Sequence, residues 1–567
     1  VYEPHGRART HERDAALNGR VQSKAVVRRF AMVESEHDVA LEDTDRLHGR
    51  SALVNNVEAA VALAGAVRST LGPRGLDKML VEEGGSTTVT NDGVTVLETA
   101  KVEHPTARLL ISTSSAQDRA ARDGTTTTVI LTSEMLQNAL ELVRSGVHPS
   151  VIMNGYQIAL DEALAEMERV ARSSQDQADR RAVVATSLAG KVDSSLTAHL
   201  TDMALEAADA LAGEEGGADL ERLRVKRLMI KDGSARESEI VPGMVLAKSR
   251  MDMATPANSD GGRIAIIDGG LENAKLEFEA SIEVTSAGAL RGFHERARQR
   301  LQEQVELLGS LGVDLLVVRD GIAEESSTML TDAGITAYRR FEREDLERLA
   351  RITGSVMVRD ARRIKADDVG TYSSRSEQTF SGIKHTRIDG SAGGAMTVLI
   401  RGSSSTVREE VRRAFDDALG VAHRLSEDSR MLPGGGASQI HLARHLRAFA
   451  PSQAGREQLA IEAYAAALEI VPRALAENSG LDPIDEILAL SAAQAADSEN
   501  GAWIGMDVIS GEKVRMDKVG VMDPLFVARH ALAGATEAAN SVLRIDDVLW
   551  AKQDAQTPDW QSEMDQD

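Results

Sequence analysis

Four short stretches of the sequence place glycine beside an acid or a turn-forming residue. They are LGPRG (71–75), TNDG (90–93), DGTTTT (123–128) and PGGGA (433–437). A phosphate group needs backbone N–H groups at close range, small residues that admit it, and preferably a helix N-terminus. Gly124 followed by Thr125 supplies these features, and Asp123 could hold Mg²⁺ because this ion prefers oxygen ligands. The pattern favours a phosphate site assembled from distant parts of the chain.

Each stretch alone has a plainer structural interpretation. Asp-Gly-Thr is also typical of a helix N-cap with β-branched core packing behind it, TNDG of a turn, and GGG of a loop pivot. The common nucleotide motif is absent, because the nearest piece, residues 189–192 (AGKV), lacks the first glycine and the terminal hydroxyl of a P-loop. No HExxH, GxSxG or GxGxxG motif stands in a suitable context.

Length and composition predict a multi-domain protein. At 567 residues with 42% hydrophobic residues, the chain has material for two to four domains. No apolar run approaches the ~18 residues of a membrane span and no secretory segment is evident, so we expect a soluble, cytoplasmic protein. The absence of cysteine excludes disulfides, thiolate metal sites and cysteine nucleophiles.

The charge balance is strongly acidic. The 88 acidic residues exceed the 65 basic ones, giving a formal charge of −23, which argues against general nucleic-acid binding. Only 13 basic residues are Lys, and aromatic residues make up 3%. This composition is typical of a halophilic protein from a high-salt cytosol, and the alternative explanation is simple solubility or GC-rich coding.

The hydrophobic patterns predict two kinds of structure. Helical periodicity begins near Ser51, continues over 106–121 and 124–145, dominates 149–222, and resumes from 405. Between 223 and 372, short apolar strands alternate with charged helical runs. The strands are expected at 263–268, 314–320, 337–341 and 355–358, the helices at 289–311, 323–333 and 343–352, and a later hairpin at 507–516. The alternation indicates an α/β domain inserted into a mainly helical chain.

Seven motifs together resemble those of group II chaperonins, the archaeal thermosomes and the related eukaryotic cytosolic chaperonin. They are TLGPRGLDKML (70–80), TNDGVTVL (90–97), VEHPTARLL (102–110), DGTTTTVIL (123–131), PGGGA (433–437), ALAENSGLDPID (474–485) and SVLRIDDVL (541–549). They occur in the family's order and spacing from about residue 40 to 550. The resemblance is strong at both ends of the chain and weaker through the inserted α/β region.

The resemblance implies a multi-domain α+β fold. A mainly helical, discontinuous equatorial domain would comprise 41–148 and 413–550, and a small discontinuous intermediate hinge domain 149–222 and 373–412. An inserted α/β apical domain would comprise 223–372, with a helical lid protrusion near 271–300. Residues 1–40 and 551–567 are expected to be disordered extensions.

The resemblance also assigns roles, residue by residue. It implies catalytic carboxylates at Asp92 and Asp417, a Mg²⁺ ligand at Asp123, and ATP contacts at Gly72, Pro73, Gly124, Thr125, Thr126, Thr127, Lys191, Gly435 and Asp523. Asp417 would reach the site from the intermediate domain, and Lys191 would respond to the γ-phosphate by contacting it. Without the family context, Asp417 is typical of a solvated helix face and Lys191 of a surface lysine.

The implied function is that of an ATP-dependent chaperone subunit. ATP with Mg²⁺ would drive lid closure around non-native protein clients in a double ring of identical or paralogous subunits, a homo- or hetero-oligomer, without nucleic-acid or membrane partners. The alternative is a divergent subunit that binds ATP mainly to assemble with paralogues. A stand-alone nucleotide-dependent enzyme lacks any second pocket motif.

One residue departs from the family pattern. The family usually has glycine immediately before the metal-binding Asp, where this chain has Arg122. A glycine there serves a positive φ or a close ligand approach. We therefore expect ATP binding to be retained and hydrolysis to be altered.

Overall fold

The computed structural model describes residues 44–81, 85, 87–211, 224–272, 287–392 and 395–551. The expected disorder of 1–40 and of the tail after 551 lies outside the described residues, as do residues 273–286 of the expected lid protrusion near 271–300.

The described chain is an alternation of long helices and short strands. The helices are α1 (Arg50–Arg68), α2 (Gly93–Thr99), α3 (Pro105–Ala121), α4 (Thr125–Arg144), α5 (Pro149–Val170), α6 (Gln177–Ser187), α7 (Ser194–Leu211), α8 (Ala287–Ser310), α9 (Glu324–Asp332), α10 (Arg343–Thr353), α11 (Ser405–Glu427), α12 (Ala437–Phe449), α13 (Glu457–Leu468), α14 (Ile470–Asn478), α15 (Pro483–Ala496), α16 (Met516–Val519) and α17 (Leu525–Leu543). The strands are β1 (Thr44–His48), β2 (Lys78–Val81), β3 (Thr87–Thr90), β4 (Arg172–Ser173), β5 (Val225–Ile230), β6 (Glu239–Pro242), β7 (Met244–Leu246), β8 (Gly262–Ile267), β9 (Leu315–Val318), β10 (Thr336–Tyr338), β11 (Gly370–Phe380), β12 (Ile383–Gly390), β13 (Met396–Arg401), β14 (Arg430–Pro433), β15 (Ile504–Met506), β16 (Lys513–Arg515), β17 (Met522–Pro524) and β18 (Asp547–Ala551). The mixed α+β class expected from the sequence is confirmed.

The largest core combines helices from both ends of the sequence. Buried apolar residues of α1, α3, α4, α5, α12, α13 and α17 form one cluster. Two buried rings, Tyr156 and Tyr464, meet edge to face with centroids 5.4 Å apart, and the Tyr156 hydroxyl donates to the Met135 carbonyl at 2.7 Å. Because β1 pairs antiparallel with β18, the two ends of the described chain are joined beside this core.

Helix α4 accommodates its threonines by bonding their hydroxyls to its own backbone. The Thr128 hydroxyl donates to the Gly124 carbonyl at 2.9 Å, and the Thr132 hydroxyl to the Thr128 carbonyl at 2.7 Å. Both side chains are buried, so these bonds remove the cost of an unpaired polar group. The weak helix propensity of threonine is thereby offset by burial against the first core.

A second core lies between α6, α7 and α11 and the strands β5 and β13. Leu200 of α7 and Phe415 and Leu419 of α11 are fully buried there. The alternation of Val398 and Ile400 with the intervening residues directs one face of β13 into the same cluster. This core therefore carries the helix that contains Asp417.

The inserted region is a six-stranded mixed sheet in the order β10-β9-β8-β11-β12-β7. Strand β8 places Ile264 and Ile266 in one apolar layer and Ala265 and Ile267 in the other, as expected for a strand buried on both faces. It pairs parallel with β9 and antiparallel with β11. The expected α/β character of this region is confirmed.

Two strand predictions in this region were inaccurate. The run 355–358 is not a strand, because it passes the end of β8 and only Val358 bridges to Ile267. The expected strand at 337–341 ends at Tyr338, and Arg340 has a positive φ of 60°. The long hairpin of β11 and β12 was missed because many of its residues are polar and only partly buried.

Two of the expected domain limits fall inside a helix or strand, and one helix packs against a different core from the one expected. The limit at 372/373 divides β11, which pairs within the six-stranded sheet. The limit at 412/413 divides α11, whose apolar face lies in the second core. Helix α5, expected in the hinge, packs into the first core. Each of these elements packs as a unit against one core or sheet, and the domain limits themselves stay a prediction.

No helix among the described residues is both long enough and apolar enough to cross a membrane.

Candidate functional site

One cavity of about 390 Å³ collects most of the residues singled out in the sequence. Those that line it are Gly72, Pro73, Asp92, Asp123, Gly124, Thr125, Thr126, Thr127, Lys191, Gly435 and Asp523. Asp417 is not in the lining and contacts it through Lys191. The cavity lies where the first core meets the second, so its walls come from both.

The N-terminus of α4 forms one wall. Gly124 is the N-cap residue in the left-handed region at φ 78°, and no side chain caps the helix. The first-turn N–H groups at Thr125, Thr126 and Thr127, which lack an intrahelical partner, therefore lie beside the cavity together with the positive end of the helix dipole. The Gln117 amide supports the turn by donating to the Asp123 carbonyl at 2.8 Å.

Asp92 lies at the start of the neighbouring helix α2. Its carboxylate accepts from the N–H groups of Val94 at 3.3 Å and Thr95 at 3.1 Å, and from the Thr95 hydroxyl at 2.6 Å. Asp92 is thus an N-cap as well as part of the cavity wall. The two helix starts touch, since a Cβ on Gly93 would lie 2.5 Å from the Thr126 hydroxyl oxygen.

Lys191 lies between two acidic residues, Asp417 on α11 of the second core and Asp123 at the turn before α4. Its ammonium lies 2.7 Å from the Asp417 carboxylate and 3.6 Å from that of Asp123. Burial raises the pKa of Asp417 to about 7, although Lys191 opposes the rise, and the charges of Asp92 and Asp123 reinforce it. Burial alone would lower the pKa of Lys191, but the two carboxylates beside it hold that pKa well above its usual range. Lys191 is therefore charged throughout the physiological range.

A glycine contact joins the lysine segment to the 71–75 loop. Gly190 has φ 86°, and a Cβ there would lie 2.4 Å from the Gly72 carbonyl oxygen. The Asn91 amide donates to the Gly190 carbonyl at 2.5 Å. Only glycine allows this close backbone approach, which places Lys191 at the cavity.

Gly435 and Gly436 of the triple glycine and Asp523 also line the cavity. Gly435 has φ 60° and accepts at its carbonyl from the Met506 N–H at 2.9 Å. Asp523 lies on β17, in register with Leu432 of β14. Burial raises the pKa of Asp523 to about 7, and the charge of Asp123 adds to the effect. Within the described residues, no protein group donates a hydrogen bond to this carboxylate.

Arg122 occupies an unusual backbone position directly before Asp123. Its φ of 57° and ψ of 9° lie in the left-handed region, which non-glycine residues rarely adopt. Its guanidinium lies 3.7 Å from the Asp118 carboxylate. Burial raises the pKa of Asp118, and the charge of Arg122 opposes that rise.

Sequence reasoning missed the apolar part of the lining. It comprises Leu71, Val471, Leu475, Met506, Val508, Ile509, Val527, Ala528 and Ala531. Apolar residues carry no chemical signature in a sequence, so they could not be distinguished from core residues. The one available signal was the hairpin expected at 507–516. Its first strand was misplaced, because β15 is Ile504–Met506 and residues 507–512 form the loop to β16, which contributes Asp507, Val508 and Ile509 to the cavity.

Comparison with known proteins gives one consistent result. The model of the TCP-1/cpn60 chaperonin family matches residues 63–553. A thermosome subunit of Methanocaldococcus jannaschii is 38% identical over 92% of this chain and 96% of its own length. Thermosome subunit alpha of Thermoplasma acidophilum is 38% identical over 91% and 94%, and thermosome subunit 1 of Haloferax volcanii 38% over 90% of each chain.

The family match spans most of the chain and includes all the residues that form the cavity. The motifs that suggested a chaperonin from sequence lie within the same span, in the same order. The chain therefore belongs to the TCP-1/cpn60 chaperonin family.

Proposed function

We propose that this chain is a subunit of a group II chaperonin whose cavity binds and hydrolyses Mg²⁺-ATP. Members of the chaperonin family are ATPases that fold other proteins, and the similarity to thermosome subunits extends over nearly the whole chain. The observation that carries the proposal is a single cavity that combines an uncapped helix N-terminus, acidic groups and a charged lysine.

The α4 end of the cavity suits a triphosphate. Free N–H groups at a helix N-terminus bind anions, and the Lys191 ammonium adds a positive charge nearby. Asp123 fits a Mg²⁺ ligand because its carboxylate is about one-quarter exposed and directly precedes the turn. Mg²⁺, when bound, neutralises charge on the phosphate oxygens.

Asp417 and Asp92 are the residues proposed for hydrolysis. An attacking water must lose a proton as its oxygen bonds to the γ-phosphorus and the bond to the β-phosphate oxygen breaks. A carboxylate with a pKa near 7 is well matched to accept that proton at neutral pH. Asp92 already accepts three hydrogen bonds, so we assign it the role of orienting the attacking water and not that of accepting its proton.

The part of the cavity around Asp523 suits a nucleoside. Asp523 has a carboxylate without a protein donor among the described residues, and sugar hydroxyls or an amino group would supply donors. The apolar residues of the lining provide a surface for a flat base. The left-handed Gly435 brings backbone close to the same place.

The three cores support a three-domain organisation. We assign the first core to the equatorial domain, the second to the intermediate hinge and the six-stranded sheet to the apical domain. Asp417 then belongs to the hinge, so hydrolysis would depend on closure of the hinge over the equatorial turn. The chain is similar to both the alpha and the beta thermosome subunits of Archaeoglobus fulgidus, which supports rings containing identical or paralogous subunits.

The test combines turnover with client folding. We expect the purified chain, at high salt suited to its acidic charge, to form double rings in negative-stain images, hydrolyse ATP and refold a denatured client. Asp417→Asn should abolish turnover and leave ATP binding intact. Asp416→Asn is the matched control, because the neighbouring carboxylate pairs instead with Arg227 and Arg412. Rings that require a sister subunit, without client folding, would favour the assembly-only alternative.

A further inference from the structure

Arg122 contacts the helix that carries Asp417. A Cβ added to Gly420 of α11 would lie 2.2 Å from the Arg122 Cγ and 2.6 Å from its Cβ. No side chain larger than hydrogen fits at 420 while Arg122 keeps this position. The arginine stem and the glycine therefore form a close contact between the turn at Asp123 and α11.

This contact is one of three along a single face of α11. Residues 413, 417 and 420 follow the i, i+4, i+7 spacing of one helix face. Arg413 donates to the Thr95 hydroxyl at 3.4 Å, and Asp417 accepts from Lys191 at 2.7 Å. Gly420 rests on Arg122. The same face thus meets the cavity rim at three successive points, with the proposed catalytic acid in the middle.

The guanidinium of Arg122 pairs with an acidic side chain and is not part of the cavity wall. Arg122 is not among the lining residues, and its charged end lies near Asp118 on its own helix, α3. A role as a phosphate ligand would require the guanidinium to line the cavity. What Arg122 presents to α11 is its aliphatic stem, held in place by the left-handed backbone at φ 57°.

We propose that Arg122 is a positioning residue that sets the height of α11, and with it the Asp417 carboxylate, above the phosphate turn. The proposal rests on the proposed role of Asp417. Arg122 acts through packing on Gly420 and not through its charge. Because a displacement of about 1 Å at a catalytic group can cost on the order of a hundredfold in rate, the contact controls turnover more than nucleotide affinity.

The experiment is a double-mutant cycle at 122 and 420, measured as kcat, KM and the Kd of a fluorescent ATP analogue. Gly420→Ala adds one methyl group that the Arg122 stem excludes, so kcat should fall about tenfold with Kd within about twofold. Arg122→Gly removes the support of α11 and should lower kcat similarly. The double variant should recover to within about threefold of the wild type, since the added methyl group then has room.

Two further variants separate packing from charge and from general helix effects. Arg122→Met keeps a long stem without charge and should retain near-normal kcat. Gly309→Ala is the helix control, because a Cβ there meets nothing within 4 Å, and turnover should not change. Additive losses at 122 and 420, or an Arg122→Met variant as slow as Arg122→Gly, would overturn the proposal.

Failure of the underlying function would look different. Asp417→Asn is assayed in parallel, and normal turnover there would remove the proposed role of Asp417. Non-additivity between 122 and 420 in that case would still show that their contact controls turnover. The two failures are therefore distinguished by separate measurements.

Discussion

Lys191 donates a 2.7 Å hydrogen bond to Asp417, a residue 226 positions later in the chain and on the helix of the second core. The same ammonium lies 3.6 Å from Asp123 at the phosphate turn. One lysine thus connects the proposed metal ligand to the proposed base. Its charge opposes the effect of burial on the Asp417 carboxyl.

Lys191→Met is expected to shift the pH dependence of hydrolysis to higher pH. Burial already raises the pKa of Asp417 to about 7, and loss of the neighbouring cation raises this pKa further. At pH 7 more of the carboxyl is then protonated and unable to accept a proton, so kcat falls by about 10–100-fold. Activity partly recovers towards pH 9. The measurement is kcat from pH 6 to 9, with Lys231→Met at an exposed position as the control. An unchanged profile would contradict the assignment of Asp417.

Asp92→Asn is expected to separate capping from catalysis. Asn keeps an oxygen that can accept from the N–H groups at the start of α2, so the melting temperature should change little. The lost charge should lower kcat by about tenfold or more. Asp482→Asn is the matched control, because Asp482 caps α15 through the N–H groups of Ile484 and Asp485 away from the cavity. Equal turnover in the two variants would show that Asp92 caps α2 and has no role in catalysis.

Gly190→Ala and Gly146→Ala form a matched pair. Both glycines have φ near 87°, at 86° and 88°, so both substitutions carry the left-handed strain of about 1–2 kcal/mol. Only at Gly190 would the new Cβ also collide with the Gly72 carbonyl, at 2.4 Å. We expect Gly146→Ala to lower the free energy of unfolding alone, and Gly190→Ala to weaken ATP binding as well. Calorimetry and nucleotide titration measure the two quantities; equal Kd values would show that the 71–75 loop does not contact nucleotide.

Asp523→Asn is expected to stabilise the empty protein and weaken nucleotide binding. The folded pKa is about 7 against an ordinary value of 3.8, so the folded protein disfavours the charged form. This carboxyl therefore lowers the free energy of unfolding progressively as the pH rises from 4 to 7, and fully above 7. Removing its charge should raise stability by about 1–3 kcal/mol at pH 8, with a gain that shrinks towards pH 4.

Thermal unfolding with and without ATP tests both parts of the Asp523 prediction. The substitution should raise the melting temperature without nucleotide and reduce the additional stabilisation by ATP. Asp260→Asn, at an exposed position, is the control. A variant that loses stability at pH 8 would show that the carboxylate has a protein partner.

The sequence predicted the framework of the cavity well where proline, aspartate or glycine marks the start of a helix. Pro105 begins α3, Asp92 precedes α2, and Gly124 precedes α4, as the capping preferences of these residue types require. The family motifs supplied the distant parts, Lys191 and Asp523, which local patterns alone could not connect.

Contacts that depend on the absence of a side chain could not be predicted. Gly420 looks like an ordinary helix residue in the sequence, yet it is the point where Arg122 meets α11. The hairpin of β11 and β12 was missed for a related reason, because its polar residues pair through backbone and show little apolar alternation. Arg122 itself was singled out, but as a source of strain or charge and not as a packing residue.

The separation of the cavity walls along the chain has a consequence for synthesis. The turn at Asp123 leaves the ribosome about 400 residues before Asp523 does, which at typical elongation rates is roughly 20–80 s. On the proposed function, the turn that holds the triphosphate is made during that interval without the residue that holds the nucleoside. On that proposal, we expect ATP to stabilise only a nearly complete chain and not the early helices alone. A nascent subunit of this protein must depend on its apolar contacts, or on other chaperones, until β17 pairs with β14.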